Sequence, residues 1–240
     1  MIKTVAIVHY NTPLLTEAAI LSLRKHGGED YKVVILDNSD KKPFTKKMKG
    51  VKVLNNRNGQ LFDFDKELDK FPDKNPRHAA CNNWGSVRHI LSVQYLWSVC
   101  REGFLLMESD VLIRKSIDFM FRDDQCCVGH IQDPQPGNIF KIGRLVPMLC
   151  WINVPLCEQG GAKYYDPNRC WQLYPEETDK RNWYDTGASF LEDIRTLKPQ
   201  CHGKAIDIRP LIYHYQSGSW QHNNEQRQKQ WLDIHKDLWM

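Results

Sequence analysis

The chain has 240 residues, enough for one sizeable α/β domain, and 41% of them are apolar, an ordinary share for a protein that buries a core. Lys and Arg number 33 against 29 Asp and Glu, so no overall field would recruit nucleic acid, and none is expected as a partner. No apolar run reaches the roughly 20 residues of a membrane span, and the opening MIKTVAIVHYN, lacking a small-residue cleavage site, is expected to be a strand rather than a leader.

Thr4 to His9 is a continuous β-rich run, as for a strand covered on both faces. Thr12-Pro13 opens a helix that His26-Gly27-Gly28 ends, and Tyr31 to Leu36 is a second buried strand. Strand, helix and strand with short links imply parallel pairing and a right-handed crossover. Val51 to Leu54 is a third strand, and Asn55 to His78 is expected to be an irregular surface loop. Helical spacing over Cys81 to Val99 precedes a fourth strand, Phe104 to Met107. The second half alternates short strands (Cys127 to Ile131, Leu149 to Val154, Ala205 to His214) with a helix over Tyr184 to Leu197. Glu225 to Trp239 is an amphipathic helix whose stripe of Trp231, Ile234, Leu238 and Trp239 suits core docking or a membrane surface.

Two further features bear on location. Lys41, Lys42, Lys46, Lys47, Lys49 and Lys52 form a basic stretch, readable as a solvated loop or as attraction to an anionic membrane surface. The eight cysteines have no CxxC pair, and reduced thiols are expected. A cytoplasmic location is expected, with peripheral contact on the inner membrane face left open, as is the oligomeric state.

In an open parallel sheet, ligands bind beyond the carboxyl ends of the strands. Three strands here end in polar groups: His9-Tyr10-Asn11, Asp37-Asn38-Ser39 and Glu108-Ser109-Asp110. With neither GxGxxG nor GxxxxGK[ST] in the chain, phosphates must be held by another device. Glu108 and Asp110 could supply hard oxygen ligands to Mg²⁺ or Mn²⁺, or could simply cap a helix before Ile113. His214 reads either as a third ligand or as a hydrogen-bonded core histidine. Arg77, His78, Arg88 and His89 lie where they would bring positive charge to a diphosphate.

The order Val8-x-Tyr10-Asn11-Thr12, then Asp37-Asn38-Ser39, then Met107-Glu108-Ser109-Asp110-Val111 resembles the GT-A glycosyltransferases, closest to the inverting family 2 type. The resemblance implies a single GT-A-type, Rossmann-like α/β domain over 1–240, with a mainly parallel central sheet flanked by helices. Within it, 1–115 would be the nucleotide-sugar half, 116–222 a smaller mixed acceptor half, and 223–240 a tail helix. It implies transfer of a hexose or N-acetylhexosamine from a UDP-sugar to a saccharide or lipid-linked acceptor, with Mn²⁺ or Mg²⁺. Donor contacts would come from His9, Tyr10, Asn11, Asp37, Asn38, Ser39, Asn83 and Ser109, and from Ser217, Ser219 and Trp220 in a late His-Ser segment. Metal contacts would come from Glu108, Asp110 and His214. Trp151, Asn153, Trp183 and Tyr184 would lie on the acceptor side. Asp185 is the candidate base, with Glu192 and Asp193 as alternatives, although Asp185 would equally cap the following helix. Asn82 stands where the family usually has Arg, and Glu108 where it has Asp. A non-catalytic nucleotide-sugar-binding module and a sugar nucleotidyltransferase are the competing expectations.

Overall fold

The computed structural model describes residues 3–28, 31–68, 84–133, 143–166, 169, 185–197, 202–215 and 224–240, the side chains of Leu68, Trp84 and Ser86 excepted. Strand β1 (Thr4–His9) is followed by α1 (Pro13–His26), β2 (Lys32–Asp37), β3 (Val51–Asn55), α2 (Phe64–Leu68), α3 (Trp84–Val99), β4 (Phe104–Glu108) and β5 (Val111–Ile113). Then come β6 (Cys127–Gln132), β7 (Arg144–Ile152), α4 (Val154–Gly160), α5 (Ala188–Thr196), β8 (Gly203–Ala205), β9 (Ile212–His214) and α6 (Glu225–Ile234).

The main sheet has seven strands in the order β3-β2-β1-β4-β7-β6-β8, and β5 and β9 form a separate antiparallel pair. Four of its pairings are parallel and two, those of β7 with β4 and β6, are antiparallel. This is the mixed α/β architecture, mainly parallel and flanked by helices, that the resemblance implied.

The buried strands are apolar at every position because each face feeds a different core. Val5 and Ile7, Val33 and Ile35, and Leu105 and Met107 join residues of α1 on one side. Ala6, Val34, Leu36, Phe104 and Leu106 join residues of α3, α4 and α5 on the other. Removing the fully buried side chains of such strands from water accounts for most of the driving force that fixes their register. In that register His9 lies opposite Asp37, Val8 opposite Glu108, and Asp37 opposite Asn55, so the strand ends form one edge.

Several boundaries differ from expectation. The segment after β3 is not wholly irregular, since it contains α2, whose Phe64 packs against the core together with Phe62 just before the helix. Strand β7 begins at Arg144 rather than near Leu149, and the run expected over Ala205 to His214 divides into β8 and β9. Cys100, Cys127, Cys150 and Cys157 are free, and burial pushes the first two thiols up to about 11 and about 12, which leaves them poor nucleophiles. Cys126, however, is disulfide-bonded, against the expectation of reduced thiols. That expectation rested on compartment, which governs how long bridges persist and not where two sulfurs meet. Among the described residues no helix is long and apolar enough to cross a membrane.

One glycine has a sharp requirement. Gly187, at the N-cap of α5, has φ of 79°, and a Cβ there would sit 2.1 Å from the carbonyl oxygen of Leu145. Gly187→Ala should therefore destabilise the fold by about 2 kcal/mol or more, read as a lowered urea midpoint with an unchanged slope. A midpoint equal to wild type would contradict the close packing of α5 on β7.

Candidate active site

The strand-end edge opens into a cavity of about 750 Å³. Tyr10 and Asn38 reach it from the ends of β1 and β2, Glu108, Ser109 and Asp110 from the β4–β5 turn, and His214 from β9. Arg144, Val146, Pro147 and Met148 of β7 face them, with Arg88, His89 and Ser92 of α3, Phe64 of α2, and Asp185 and Thr186 before α5.

The acidic end is built by strand pairing. Strand β4 ends at Glu108, and the turn through Ser109 and Asp110 leads at once into β5. Glu108 and Asp110 are thus placed by a strand-to-strand turn, not by a helix cap. Strand β9 pairs with β5 so that His214 sits opposite Val111, and the Tyr215 amide donates to the Asp110 carbonyl at 3.0 Å. His214 Nε2 consequently lies 3.3 Å from Glu108 Oε2 and 3.4 Å from Asp110 Oδ1. One ligand atom from each of the three falls within 4.8 Å of the others, in a hard oxygen and imidazole set that fits Mn²⁺ or Mg²⁺. Two carboxylates half out of water would repel each other without a cation between them.

Burial opposes a charge on His214, but its bonds to Asp110 and Glu108 outweigh that, and its pKa is pushed up to about 10. A raised histidine pKa means that the proton's contribution to stability is complete below the ordinary value of about 6.5 and is lost as pH climbs through about 10. A dication held by His214 would compete with this proton for the same nitrogen. Mn²⁺ binding at pH 7 should therefore release close to one proton through His214, and the affinity should rise with pH up to about 10. Calorimetry in two buffers of different ionisation enthalpy measures the release, and none would contradict ligation by His214.

A second polar group lines the same cavity. Asp185 Oδ2 pairs with Arg144, while Oδ1 accepts the Thr186 amide at 2.7 Å. Thr186 Oγ1 lies 2.9 Å from His89 Nδ1, and Arg144 Nε donates to Gln132 Oε1 at 2.9 Å. Because Gly187 occupies the cap of α5, Asp185 is left to face the cavity. Burial pushes the His89 pKa down despite Glu108 and Asp185 nearby. Arg88 does face the cavity, with its guanidinium 5.2 Å from the Phe64 ring centre.

Other expected donor residues support the edge from behind. His9 is fully buried, with Nδ1 2.7 Å from Thr16 Oγ1 and Nε2 3.2 Å from the Lys42 carbonyl, and burial lowers its pKa. Asp37 accepts the amides of Ser39 and Phe44 at 2.9 and 3.0 Å, and Ser39 Oγ accepts the Asn11 amide at 2.9 Å. Asn11, at φ of 56°, accepts the amides of Lys41 and Lys42 and so ties the β1–α1 turn to the loop after β2. None of these four lines the cavity, whereas Tyr10, Asn38 and Ser109 do.

The alternatives to Asp185 are engaged elsewhere. Arg169 pairs with Glu192 at 2.7 Å and Asp193 at 2.8 Å, and neither lines the cavity. Trp151 donates to the Arg122 carbonyl from within the core, and Asn153 caps α4 by accepting the Leu156 amide. Their strand does reach the cavity, but through its opposite end at Arg144 to Met148. Asn83, Trp183, Tyr184, Ser217, Ser219 and Trp220, with Arg77 and His78, lie outside the described residues. Arg144 was missed; the signal that could have found it is a cation heading a long apolar strand, with Val146 and Met148 on its face by two-residue alternation.

No protein-family model and no curated protein matches the chain. Among solved structures, the glycosyltransferase GlyE of Streptococcus pneumoniae TIGR4 aligns at 13% identity and TM-score 0.45, over 96% of this chain and 59% of its own. The galactosyltransferase LgtC, crystallised with donor and acceptor sugar analogues, aligns at 12% identity and TM-score 0.47, over 83% of this chain and 72% of its own. A mannosyltransferase of Pyrobaculum calidifontis, in complex with GDP-Man and Mn²⁺, aligns at 9% identity and TM-score 0.43, over 85% of this chain and 54% of its own. Likenesses this loose transfer no activity, and function has to be argued from the site itself.

Proposed function

We propose that the chain is a metal-dependent GT-A-type glycosyltransferase acting as one unit, with residues 1–115 binding a UDP-sugar and residues 116–222 facing the acceptor. The observation that carries this is the convergence of Glu108, Asp110 and His214 in a large cavity that Asp185 also lines.

Glu108, Asp110 and His214 would hold the metal, Mn²⁺ suiting the imidazole better than Mg²⁺. When bound, the dication would offset charge developing on the departing nucleoside diphosphate. Tyr10 and Asn38 would contact the nucleoside beyond β1 and β2, and Ser109 the sugar side of the donor. Apolar Phe64, Val146, Pro147 and Met148 would exclude water from the reacting carbon. Asp185 would accept the proton from the acceptor hydroxyl as that oxygen attacks the anomeric carbon and the sugar–phosphate bond breaks, with inversion. Arg144 and the Thr186 amide would hold its carboxylate in place. The acceptor is a saccharide or a lipid-linked sugar.

Release of UDP from a panel of UDP-sugars with Mn²⁺ tests this reading. Turnover abolished by chelator supports it, and tight donor binding without turnover toward any acceptor would favour a binding module instead. The anomeric configuration of the product, read by NMR, tests inversion.

A further inference from the structure

The tail helix contributes no residue to the cavity, yet it grips the strand that carries His214. Tyr213 and Tyr215 flank His214, and alternation along the strand turns both away from the face that His214 presents to Glu108 and Asp110. Both rings meet α6 and the residue that ends it. Tyr215 packs edge-on against Trp231 with centroids 5.3 Å apart, and Tyr213 stacks on His235 at 4.5 Å. Trp231 and His235 also touch each other at 5.0 Å, and Arg114 lies over the Tyr213 ring at 4.1 Å.

The helix is itself fixed from behind. Leu232 and Leu238 bury against Leu15 and Ala18 of α1 and Leu112 of β5, and Trp239 Nε1 donates to the Leu232 carbonyl at 3.1 Å. Asn224 caps the helix, and Glu225 pairs with Lys42 at 3.1 Å. Strand β9 is only three residues long and, among the described residues, has β5 as its single sheet partner. So short a two-stranded pairing is marginal alone and needs packing from another element.

We infer that Trp231 and His235 are positioning residues for the metal centre: by clamping Tyr213 and Tyr215 they hold His214 against Glu108 and Asp110. This rests on the metal reading above. Groups that orient a ligand without touching the ion commonly change metal affinity by about 10- to 100-fold when removed.

The test is Mn²⁺ affinity, measured by electron paramagnetic resonance on full-length chains, with amide hydrogen exchange across β9 in the metal-free protein. Trp231→Ala should weaken Mn²⁺ by about 10-fold or more and speed exchange at the Tyr215 amide, and Trp231→Phe should restore both. His235→Ala, which leaves Leu232 and Leu238 in place, should give a smaller loss of the same kind and serves if Trp231→Ala does not fold. Unchanged affinity with unchanged β9 protection in folded Trp231→Ala and His235→Ala would overturn the inference. Should the wild type bind no Mn²⁺, the metal reading fails on its own, and faster β9 exchange in the variants would still establish the clamp.

Discussion

Asp110→Ala should reduce Mn²⁺-dependent UDP release and sugar transfer by at least about 10³-fold, because a bound dication is worth several kcal/mol of charge stabilisation in the transition state. The change takes away one of two carboxylates and leaves His214 paired with Glu108 alone. It also leaves the backbone bond from Tyr215 to the Asp110 carbonyl intact, so β5 and β9 should stay paired. Adding chelator to the wild type should bring its rate down to that of the mutant, and chelator should do little to the mutant. A folded Asp110→Ala protein that keeps most of its Mn²⁺-dependent rate would show that this cluster does not serve the reaction.

Asp185→Asn should cut turnover by at least about 10²-fold with donor affinity nearly unchanged, the usual scale for losing acid–base help. The substitution is conservative in shape: its carbonyl can still accept the Thr186 amide that Asp185 accepts at 2.7 Å. What it removes is the negative charge toward Arg144 and toward an acceptor hydroxyl. Turnover is read under saturating donor and acceptor, and donor binding separately by calorimetry. Near-normal turnover would remove Asp185 from the role of base and leave it as an anchor for Arg144.

The alternation of the two cores explains why the sheet was so legible. Val5, Ala6 and Ile7 must all be apolar when both faces are covered, and such runs stand out in a sequence. Glu108 and Asp110 were legible for the same reason, as charges at the end of a run that could tolerate none. His214 was visible as a lone histidine and through the resemblance of its late segment, since its strand meets β5 only across a long stretch of chain. The donor residues show the limit of the approach. A polar side chain at a strand end can face the crevice, as Tyr10 and Asn38 do, or can hold the loops that shape it, as His9, Asn11, Asp37 and Ser39 do. One residue of shift decides between the two, and composition carries no sign of it. Arg144 and Thr186 were missed because their role comes from β7 and α5 meeting across the sheet. Trp151 near the end of β7 and Asn153 just past it lie away from the residues of that strand that line the cavity, Arg144, Val146, Pro147 and Met148.

The most direct test is a crystal soaked with MnCl₂ and UDP, with data collected at the manganese absorption edge. The account predicts one anomalous peak within coordination distance of Glu108, Asp110 and His214, beside the diphosphate. UDP seated in the cavity with no peak there, or with manganese bound elsewhere, would contradict it.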